Sequence, residues 1–262
     1  MDKLIIYCKS YKNDVQRVKI LFESIIQYNT DNIPFYISTP KQDKSLFEEV
    51  LGTKNWNWVD DNDIDSDNEG WIGQQIIKSN FWKLGLCENY LCLDSDTYFI
   101  KPFTYQDFFY GKDIPFTLIH EQQELFHWAY KKLPFDIYES FKKNRIKIMD
   151  VFGRKGKLYD FGPSGFIWSS KVWKDLEEKY LLPNNLNFKN LIEYANSELT
   201  WYGETLLAFN SIQIFPTQPL FKMYHYKEQY IEDKNRGITE EDLSQNYLGI
   251  IMQSNWGAPL KY

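Results

Sequence analysis

The sequence predicts a single α/β domain in which helices cover both faces of a largely parallel sheet. Two observations support this fold class. Short apolar segments alternate with helical patterns through the first half of the chain, which is typical of parallel sheets covered on both faces. The 262 residues also contain no internal repeat and no low-complexity linker, and a chain of this length often forms one α/β unit.

The first half of the chain supplies the most regular elements. Its strand segments are short and apolar, and its helical segments place apolar residues three and four positions apart. An acidic segment at residues 60–69 lacks the glycine and glutamate positions of an EF-hand, so we expect a solvated loop there. In chain order, the predicted elements are strand 3–8, helix 15–28, strand 35–38, helix 44–51, helix 71–84, strand 90–93 and strand 97–102.

The second half is less regular, and its elements are predicted from isolated apolar runs and shorter helical patterns. The longest predicted helix, 190–210, contains an interruption near Trp201-Tyr202-Gly203. The predicted strands are 116–119, 165–168, 212–215 and 221–226. The other predicted helices are 128–132, 139–149 and 172–180.

The composition excludes several classes of protein. Hydrophobic residues make up 43% of the chain, which is too many for a disordered protein, and the net charge of −6 gives no general attraction to nucleic acid. The three cysteines, Cys8, Cys87 and Cys92, form no disulfide framework, so a reducing cytosol is the expected compartment. The chain lacks an apolar run of about 18 residues, so any membrane contact is expected to be peripheral.

Two carboxylates stand one residue apart directly after a predicted buried strand. The apolar run 90–93 leads into Asp94-Ser95-Asp96, and another apolar segment follows. Like charges this close repel each other, and burial increases the cost unless a cation or hydrogen-bond donors compensate. Ligands of open α/β sheets bind at the carboxyl ends of the strands. The pattern therefore predicts a divalent cation that bridges the two acids to a diphosphate.

The residues around this pair resemble a known family. The stretch YLCLDSDTYFIKPF resembles the D-x-D region of GT-A glycosyltransferases, and EGWIGQQIIKSNFWKL resembles the helix before that motif in a group of bacterial and viral glycosyltransferase-like proteins. Three later segments, FGPSGFIWSSKVWKDL, YGETLLAFN and MYHYK, are similar to the glycogenin-like pattern of glycosyltransferase family 8. The resemblance covers roughly residues 1–226.

The resemblance implies a GT-A-type, Rossmann-like α/β/α sandwich with a central mixed, mostly parallel sheet. It implies a metal-dependent enzyme that uses Mn²⁺ or Mg²⁺ to move a hexosyl or pentosyl group from a UDP- or GDP-sugar to a saccharide or other hydroxyl acceptor. Surface glycan or glycoconjugate synthesis in the cytoplasm is the expected setting. Residues 1–103 would bind the nucleotide sugar, and residues 104–262 would bind the acceptor.

The resemblance also implies a set of metal and diphosphate ligands. Asp96 would bind the metal directly and bridge it to the two phosphates. Asp94 would bind the metal or the ribose of the donor, and Ser95 between them would belong to the same diphosphate site. His225, at the end of a predicted strand, matches the metal-binding histidine of the family.

The nucleoside and the donor sugar would be held by residues from the first half. Ser10 and Tyr11 follow the first predicted strand and would hold the nucleoside, with the Tyr11 ring as a possible stacking partner for the base. Gln75 and Lys78 share a face of the predicted helix 71–84 and would reach the phosphates or the donor sugar.

Two glutamates are the candidate catalytic residues. Glu198 and Glu204 are six positions apart and need not share a helical face, so we expect at most one to touch the reacting centre. That carboxylate could act as general base on the acceptor hydroxyl or stabilise an oxocarbenium-like transition state. A retaining mechanism could instead rely on the leaving phosphate. Gly165 would form the floor of the acceptor side, and Trp201 and Tyr202 would close the opposite wall against the sugar rings.

Two other functions are compatible with parts of the sequence. A non-catalytic carbohydrate-binding protein would use the aromatic residues, 18% of the chain, as stacking platforms, but it gives the acid pair no purpose. A haloacid-dehalogenase-type phosphatase also carries D-x-D after an apolar strand, but Tyr98 stands here where that motif has threonine or valine. Dependence of nucleotide binding on Mn²⁺ separates the first alternative from a glycosyltransferase.

Overall fold

Strands and helices alternate along the first half of the chain, as the sequence predicts. The computed structural model describes residues 1–66 and 70–262. In chain order, its strands are β1 (Asp2–Lys9), β2 (Phe35–Thr39), β3 (Asn57–Asp60), β4 (Cys87–Leu93), β5 (Thr97–Phe99), β6 (Phe109–Tyr110), β7 (Ile114–Leu118), β8 (Phe166–Ser169), β9 (Phe215–Thr217), β10 (Phe221–Tyr224) and β11 (Gly249–Met252). Its α-helices are α1 (Val15–Tyr28), α2 (Lys44–Leu51), α3 (Asp61–Ile64), α4 (Gly70–Asn80), α5 (Gln123–Lys132), α6 (Phe135–Val151), α7 (Ser170–Leu176), α8 (Phe188–Tyr194), α9 (Glu198–Phe209), α10 (Lys227–Asn235) and α11 (Glu240–Ser244). Within the described ranges, no helix has the length and apolarity that crossing a bilayer requires.

The central sheet has five strands in the order β3-β2-β1-β4-β8. The first four run parallel to one another, and β8 pairs with β4 in the antiparallel direction. Side chains of β1 alternate between the faces, so that Ile5 and Tyr7 pack on one side and Leu4 and Ile6 on the other. Each face has its own hydrophobic core, which confirms the predicted sandwich around a mixed, mostly parallel sheet.

The carboxyl ends of β1 and β4 meet at one edge of this sheet. The two strands are parallel neighbours, with Cys8 opposite Leu93. The sheet continues to β2 on one side of β1 and to β4 on the other, so this edge is a topological switch point, where such sheets bind ligands. After the turn that follows β4, β5 joins a smaller sheet in the order β10-β11-β5, while β6, β7 and β9 form a third sheet. The turn between β4 and β5 therefore lies where two sheets adjoin.

Most predicted elements are present, but two predictions in the second half are wrong. Helices 15–28 and 44–51 coincide with α1 and α2. The strand predicted at 212–215 is wrong, because β9 begins only at Phe215. The predicted helix 190–210 is interrupted between α8 and α9 and not near Gly203. Gly203 lies inside α9, where the ring of Phe161 fills the side-chain space and an added Cβ would lie only 2.1 Å from it.

The acidic segment is not a solvated loop throughout, in contrast to the prediction. Residues 61–64 form α3, and the buried Asp61 pairs with Lys9, whose Nζ lies 2.8 Å from Asp61 Oδ2. The carboxylate can be buried because the ammonium group compensates its charge. The same prediction also covers residues 67–69, which lie outside the described residues.

Candidate active site

The acid pair lies in the turn between β4 and β5, and distant parts of the chain hold this turn in place. The backbone N–H of Asp94 donates to Ser164 Oγ, at 2.9 Å, from the segment that leads into β8. The hydroxyl of Ser95 donates to Asp14 Oδ2, also at 2.9 Å, just before α1. Because the β4 strand ends here, both acids emerge at the switch-point edge of the sheet.

Lys78 is buried on α4 and pairs with two carboxylates. Its ammonium group contacts Asp94 Oδ1 and lies 3.6 Å from Glu198 Oε1. The hydroxyl of Tyr90 donates to the backbone carbonyl of Lys78 at 3.0 Å, which ties α4 to β4. Burial disfavours the charged form, but the two carboxylates outweigh burial and raise the pKa of Lys78 above its usual value. Lys78 is therefore a fixed cation beside the acid pair.

Glu198 is the candidate glutamate that the structure brings to this site. It is the first residue of α9 and is buried beside Lys78. Burial raises the pKa of its carboxyl group, and the charge of Lys78 opposes that rise. A carboxylate with a raised pKa is a stronger base than an exposed one. Glu198 thus has the burial and the position that a general base needs.

Asp96 is partly buried, and one of its two carboxylate oxygens lacks a partner in the described part of the chain. Its Oδ2 accepts the backbone N–H of Ser254 at 2.9 Å, whereas its Oδ1 is buried and has no hydrogen-bond partner among the described residues. Burial, and next the charge of Asp94, raise the pKa of Asp96 to about 6, although Ser254 and Arg17 oppose the rise. A cation at this carboxylate would relieve both the burial and the repulsion.

Ser10, at the carboxyl end of β1, and Gln75, about one helical turn before Lys78 on α4, carry further unsatisfied polar atoms. Ser10 directly follows β1 and is 2% exposed, and Gln75 on α4 is 1% exposed. Neither the Ser10 hydroxyl nor either amide atom of Gln75 has a partner among the described residues. Buried polar groups are almost always hydrogen-bonded, because leaving one unpaired costs about 1–3 kcal/mol. Tyr11, beside Ser10, is 44% exposed and presents its ring to solvent.

Glu204 lies apart from this group. It is 1% exposed, and both of its carboxylate oxygens are held by Arg154, with Nε–Oε2 at 2.6 Å and Nη2–Oε1 at 2.5 Å. This two-point ion pair occupies the oxygens that a general base would need. The structure therefore gives Glu204 a structural contact, while Glu198 contacts Lys78.

His225 is likewise not brought to the acid pair. It follows β10 and is partly exposed. Burial lowers the pKa of its imidazole to about 4, and the nearby charges that affect it are those of Asp160 and Arg145. Across residues 1–66 and 70–262, no three His, Cys, Asp or Glu side chains are grouped closely enough to hold a metal ion. Metal binding by His225 remains a prediction from the resemblance alone.

The predicted acceptor floor and wall are wrong in detail. Gly165 has a φ of +93°, and an added Cβ would lie 2.4 Å from the ring of Phe221, so this glycine makes room for an internal side chain and not for a ligand. Trp201 and Tyr202 are core residues. The indole N–H of Trp201 donates to a backbone carbonyl at 2.8 Å, and the hydroxyl of Tyr202 accepts a backbone N–H at 2.8 Å.

Sequence reasoning missed several residues that shape the site. Ser164 stands in the turn FGPSG before β8, and its position beside Asp94 depends on the pairing of β8 with β4. Asp14 precedes α1, and its contact with Ser95 requires α1 to pack beside the switch-point edge. The turn signal at Ser164 was visible in the sequence, but neither partner could be identified without the sheet order.

Comparison with known protein families gives one match that covers most of the chain. A family model described as a family of unknown function (DUF6492) matches residues 4–244. No curated protein sequence matches the chain.

Solved structures of glycosyltransferases share the fold at low sequence identity. The apo crystal structure of mouse xyloside xylosyltransferase 1 has a TM-score of 0.52 at 9% identity, covering 99% of this chain and 100% of that one. The apo structure of the bifunctional glycosyltransferase WbbM has a TM-score of 0.54 at 9% identity, covering 97% of this chain and 46% of that one. The galactosyltransferase LgtC, in complex with donor and acceptor sugar analogues, has a TM-score of 0.50 at 14% identity, covering 100% and 88%. These likenesses show a GT-A-like fold, and the chemistry has to be argued from the site.

Proposed function

Since the chain belongs to a family of unknown function (DUF6492), we propose its activity from its own site: it is a metal-dependent glycosyltransferase with a nucleotide-sugar donor. The observation that supports this most is the set of buried, unpartnered polar atoms at the switch-point edge, on Ser10, Gln75 and Asp96. A bound donor would supply partners for these atoms. A protein that only stacks sugars on its surface would leave the buried charge of Asp96 without a purpose.

The residues present fit a divalent cation that is completed by substrate. Mg²⁺ and similar hard cations are commonly bound by one or two carboxylates together with substrate phosphates, so three protein ligands are not required. Asp94 and Asp96 would hold the ion, and the buried Oδ1 of Asp96 has no other partner among the described residues. A bound Mn²⁺ or Mg²⁺ would act as a Lewis acid that neutralises charge on the diphosphate.

The proposed transfer exchanges one bond at the anomeric carbon for another. The acceptor oxygen forms a bond to the anomeric carbon of the donor sugar, and the bond from that carbon to the diphosphate breaks. The nucleoside diphosphate leaves with the bonding electrons, and Lys78 stabilises its negative charge from a fixed, buried position. The acceptor hydroxyl loses its proton to Glu198, the buried carboxylate beside Lys78.

The assignments of single residues to the nucleoside and the phosphates rest on the resemblance and are part of this proposal. Ser10 and Tyr11 would hold the nucleoside of a UDP- or GDP-sugar, because both directly follow β1 at the ligand-binding edge. Gln75 would bind the phosphates or the donor sugar with its unpaired amide. A saccharide acceptor and a part in glycan synthesis complete the proposed function.

Calorimetry with UDP and GDP, with and without Mn²⁺, tests the donor site. We expect binding that requires Mn²⁺ and that weakens at least about 10-fold in Asp96→Ala, because loss of a direct ligand should cost no less than loss of an outer-shell partner. Asp136→Ala is the matched control, since Asp136 is exposed on α6 and carries the same charge. Equal nucleotide affinity in wild type and Asp96→Ala, with Mn²⁺ present, would show that the acid pair is structural.

A matched pair of glutamate variants tests the proton acceptor. Glu198→Gln keeps size and hydrogen bonding and should lower turnover by roughly 10²-fold, the scale of general acid–base catalysis, with nucleotide affinity little changed. Glu204→Gln should leave turnover per folded molecule unchanged, because Glu204 contacts Arg154 and not the site. The opposite ranking of the two variants would move the catalytic role to Glu204.

A further inference from the structure

Among the described residues, a cavity of about 800 Å³ is lined entirely by residues of the second half of the chain. It lies between α5, β10 and α10, and the turn that contains Pro163 closes one end. Its lining includes none of the residues assigned above to the nucleotide or the metal, apart from His225. The volume is in the range of sites that enclose a drug-sized molecule, which is far more than an ion or a water needs.

The cavity and the acid pair are joined through two consecutive residues. Pro163 lines the cavity, and the next residue, Ser164, accepts the backbone N–H of Asp94. Phe221, which also lines the cavity, packs against Gly165 in the same turn. The turn at residues 163–165 therefore contacts both the cavity and Asp94, which brings the cavity near the proposed donor site.

The cavity wall combines aromatic rings with polar side chains. Trp128 lies on the wall, and its indole N–H is buried without a partner among the described residues. The indole stacks on Tyr226, with the ring centroids 5.3 Å apart, which fixes its orientation. Tyr159 adds a second ring, and Gln122 and Gln218 add amides that can both donate and accept hydrogen bonds. Rings with apolar faces and neutral hydrogen-bonding groups are what a sugar requires.

The charges on the wall disfavour an anionic ligand. Four carboxylates line the cavity, on Glu121, Glu124, Glu232 and Asp233. The lining ammonium group, that of Lys222, already lies 3.0 Å from Asp233 Oδ2. Three of these carboxylates are already ion-paired, Glu121 with Lys157, Glu232 with Lys132 and Asp233 with Lys222. The described lining therefore offers no unpaired cation to a phosphate, sulfate or carboxylate group, which selects against charged acceptors.

We propose that this cavity binds an uncharged oligosaccharide as the acceptor, with Trp128 as its stacking platform and hydrogen-bond donor. The proposal rests on the proposed function, because the bound saccharide carries the hydroxyl group that receives the transferred sugar. It narrows the acceptor from any hydroxyl compound to a neutral glycan, and it separates the acceptor subsite from all the assigned metal and nucleotide residues except His225.

Saturation-transfer NMR and calorimetry on the full chain test this proposal with defined probes. Maltotriose, cellotriose and chitotriose serve as neutral ligands, and trigalacturonate serves as the anionic ligand of similar size. We expect at least one neutral trisaccharide to bind and trigalacturonate not to bind. Trp128→Ala should weaken that binding by at least about tenfold, the scale of a central aromatic anchor. Tyr130→Ala should leave it unchanged, because Tyr130 is on the same helix, is 65% exposed and does not line the cavity.

A milder variant and a second measurement distinguish failure of the cavity assignment from failure of the proposed transferase activity. Trp128→Phe retains a ring and loses only the N–H, so it should weaken saccharide binding less than Trp128→Ala while preserving the fold. Absence of binding by all three neutral probes, binding of trigalacturonate, or full binding by Trp128→Ala would overturn the assignment of the cavity. Nucleotide binding with Mn²⁺ is measured in the same samples: its loss alongside intact saccharide binding would instead overturn the proposed transferase activity.

Discussion

Removing the guanidinium group of Arg154 should lower the free energy of unfolding by about 3–5 kcal/mol, because it leaves a buried carboxylate without its partner. The carboxylate of Glu204 has a side-chain exposure of 1%, and Arg154 donates to both of its oxygens. Two charge-assisted hydrogen bonds at about 1.5–3 kcal/mol each give a loss of the same size. The side chain of Arg154 is itself 19% exposed, so the opposite change, Glu204→Gln, should cost less.

Urea unfolding followed by tryptophan fluorescence measures this effect, since the midpoint and slope give the free energy of unfolding. The variant is Arg154→Met, which retains length and apolar contact. Lys155→Met is the matched control, because its side chain is 83% exposed and its ammonium group lies 3.6 Å from Asp150, so the change should stay within about 0.5 kcal/mol. The double variant Arg154→Met/Glu204→Leu should recover most of the loss, because an apolar pair often replaces a buried ion pair at little cost.

Two results would refute the reasoning. A loss of less than about 1 kcal/mol in Arg154→Met would mean that Glu204 does not depend on this partner when it is buried. A double variant that is stable and yet inactive, with nucleotide binding intact, would show that Glu204 takes part in catalysis. The structural role assigned to the ion pair would then be wrong.

Two further predictions concern positions outside the acid pair. Gly165→Ala should lower the free energy of unfolding by about 2–5 kcal/mol, from backbone strain of ~1–2 kcal/mol and overpacking against Phe221 of ~1–3 kcal/mol. Gly237 has a φ of +74° and open space around it, so Gly237→Ala should show the cost of backbone strain alone. Equal losses of unfolding free energy in urea titrations of the two variants would exclude the contribution of Phe221. Burial lowers the pKa of His225 from 6.5 in the unfolded chain to about 4 in the folded protein. Between these values the unfolded chain binds the extra proton, so stability falls as the pH drops from 7 to 4. His225→Gln should reduce that fall in unfolding free energy by about 2 kcal/mol, which is less than the full pKa shift gives because the ring is partly exposed. Parallel profiles of unfolding free energy against pH for wild type and variant would contradict the buried imidazole.

Local sequence patterns predicted the bounds of single elements and the strand end that carries the acid pair. The helix α1 has its predicted bounds because its apolar residues recur at helical spacing between two polar turns. The position of Asp94 and Asp96 at the edge of the sheet followed from the apolar strand before them, since a parallel strand must end at the ligand-binding edge. The resemblance assigned Lys78 to the phosphates or the donor sugar, and the structure brings its ammonium group to Asp94.

Contacts between distant parts of the chain could not be predicted in this way. Glu198 and Glu204 look alike in sequence, and only the packing of α9 decides that one meets Lys78 and the other Arg154. Gly165 resembles a glycine that admits a ligand, but the ring of Phe221 occupies the space. The strand β11 was not predicted, because four apolar residues are too few to distinguish a strand from a buried turn.

The hydrogen bond between Asp96 and Ser254 can form only late in the synthesis of the chain. The two residues are 158 positions apart, so a ribosome adding about 5–20 residues per second needs about 8–30 s to make the second after the first. β8 is made less than halfway through that interval, but the carboxylate of Asp96 lacks the backbone N–H of Ser254 until its end. The parallel strands of the first half can assemble early, but Asp96 gains its backbone donor only after residue 254 has been made. A truncated translation product that ends before residue 254 would contain Asp94 and Asp96 but would lack the hydrogen bond from Ser254 to Asp96.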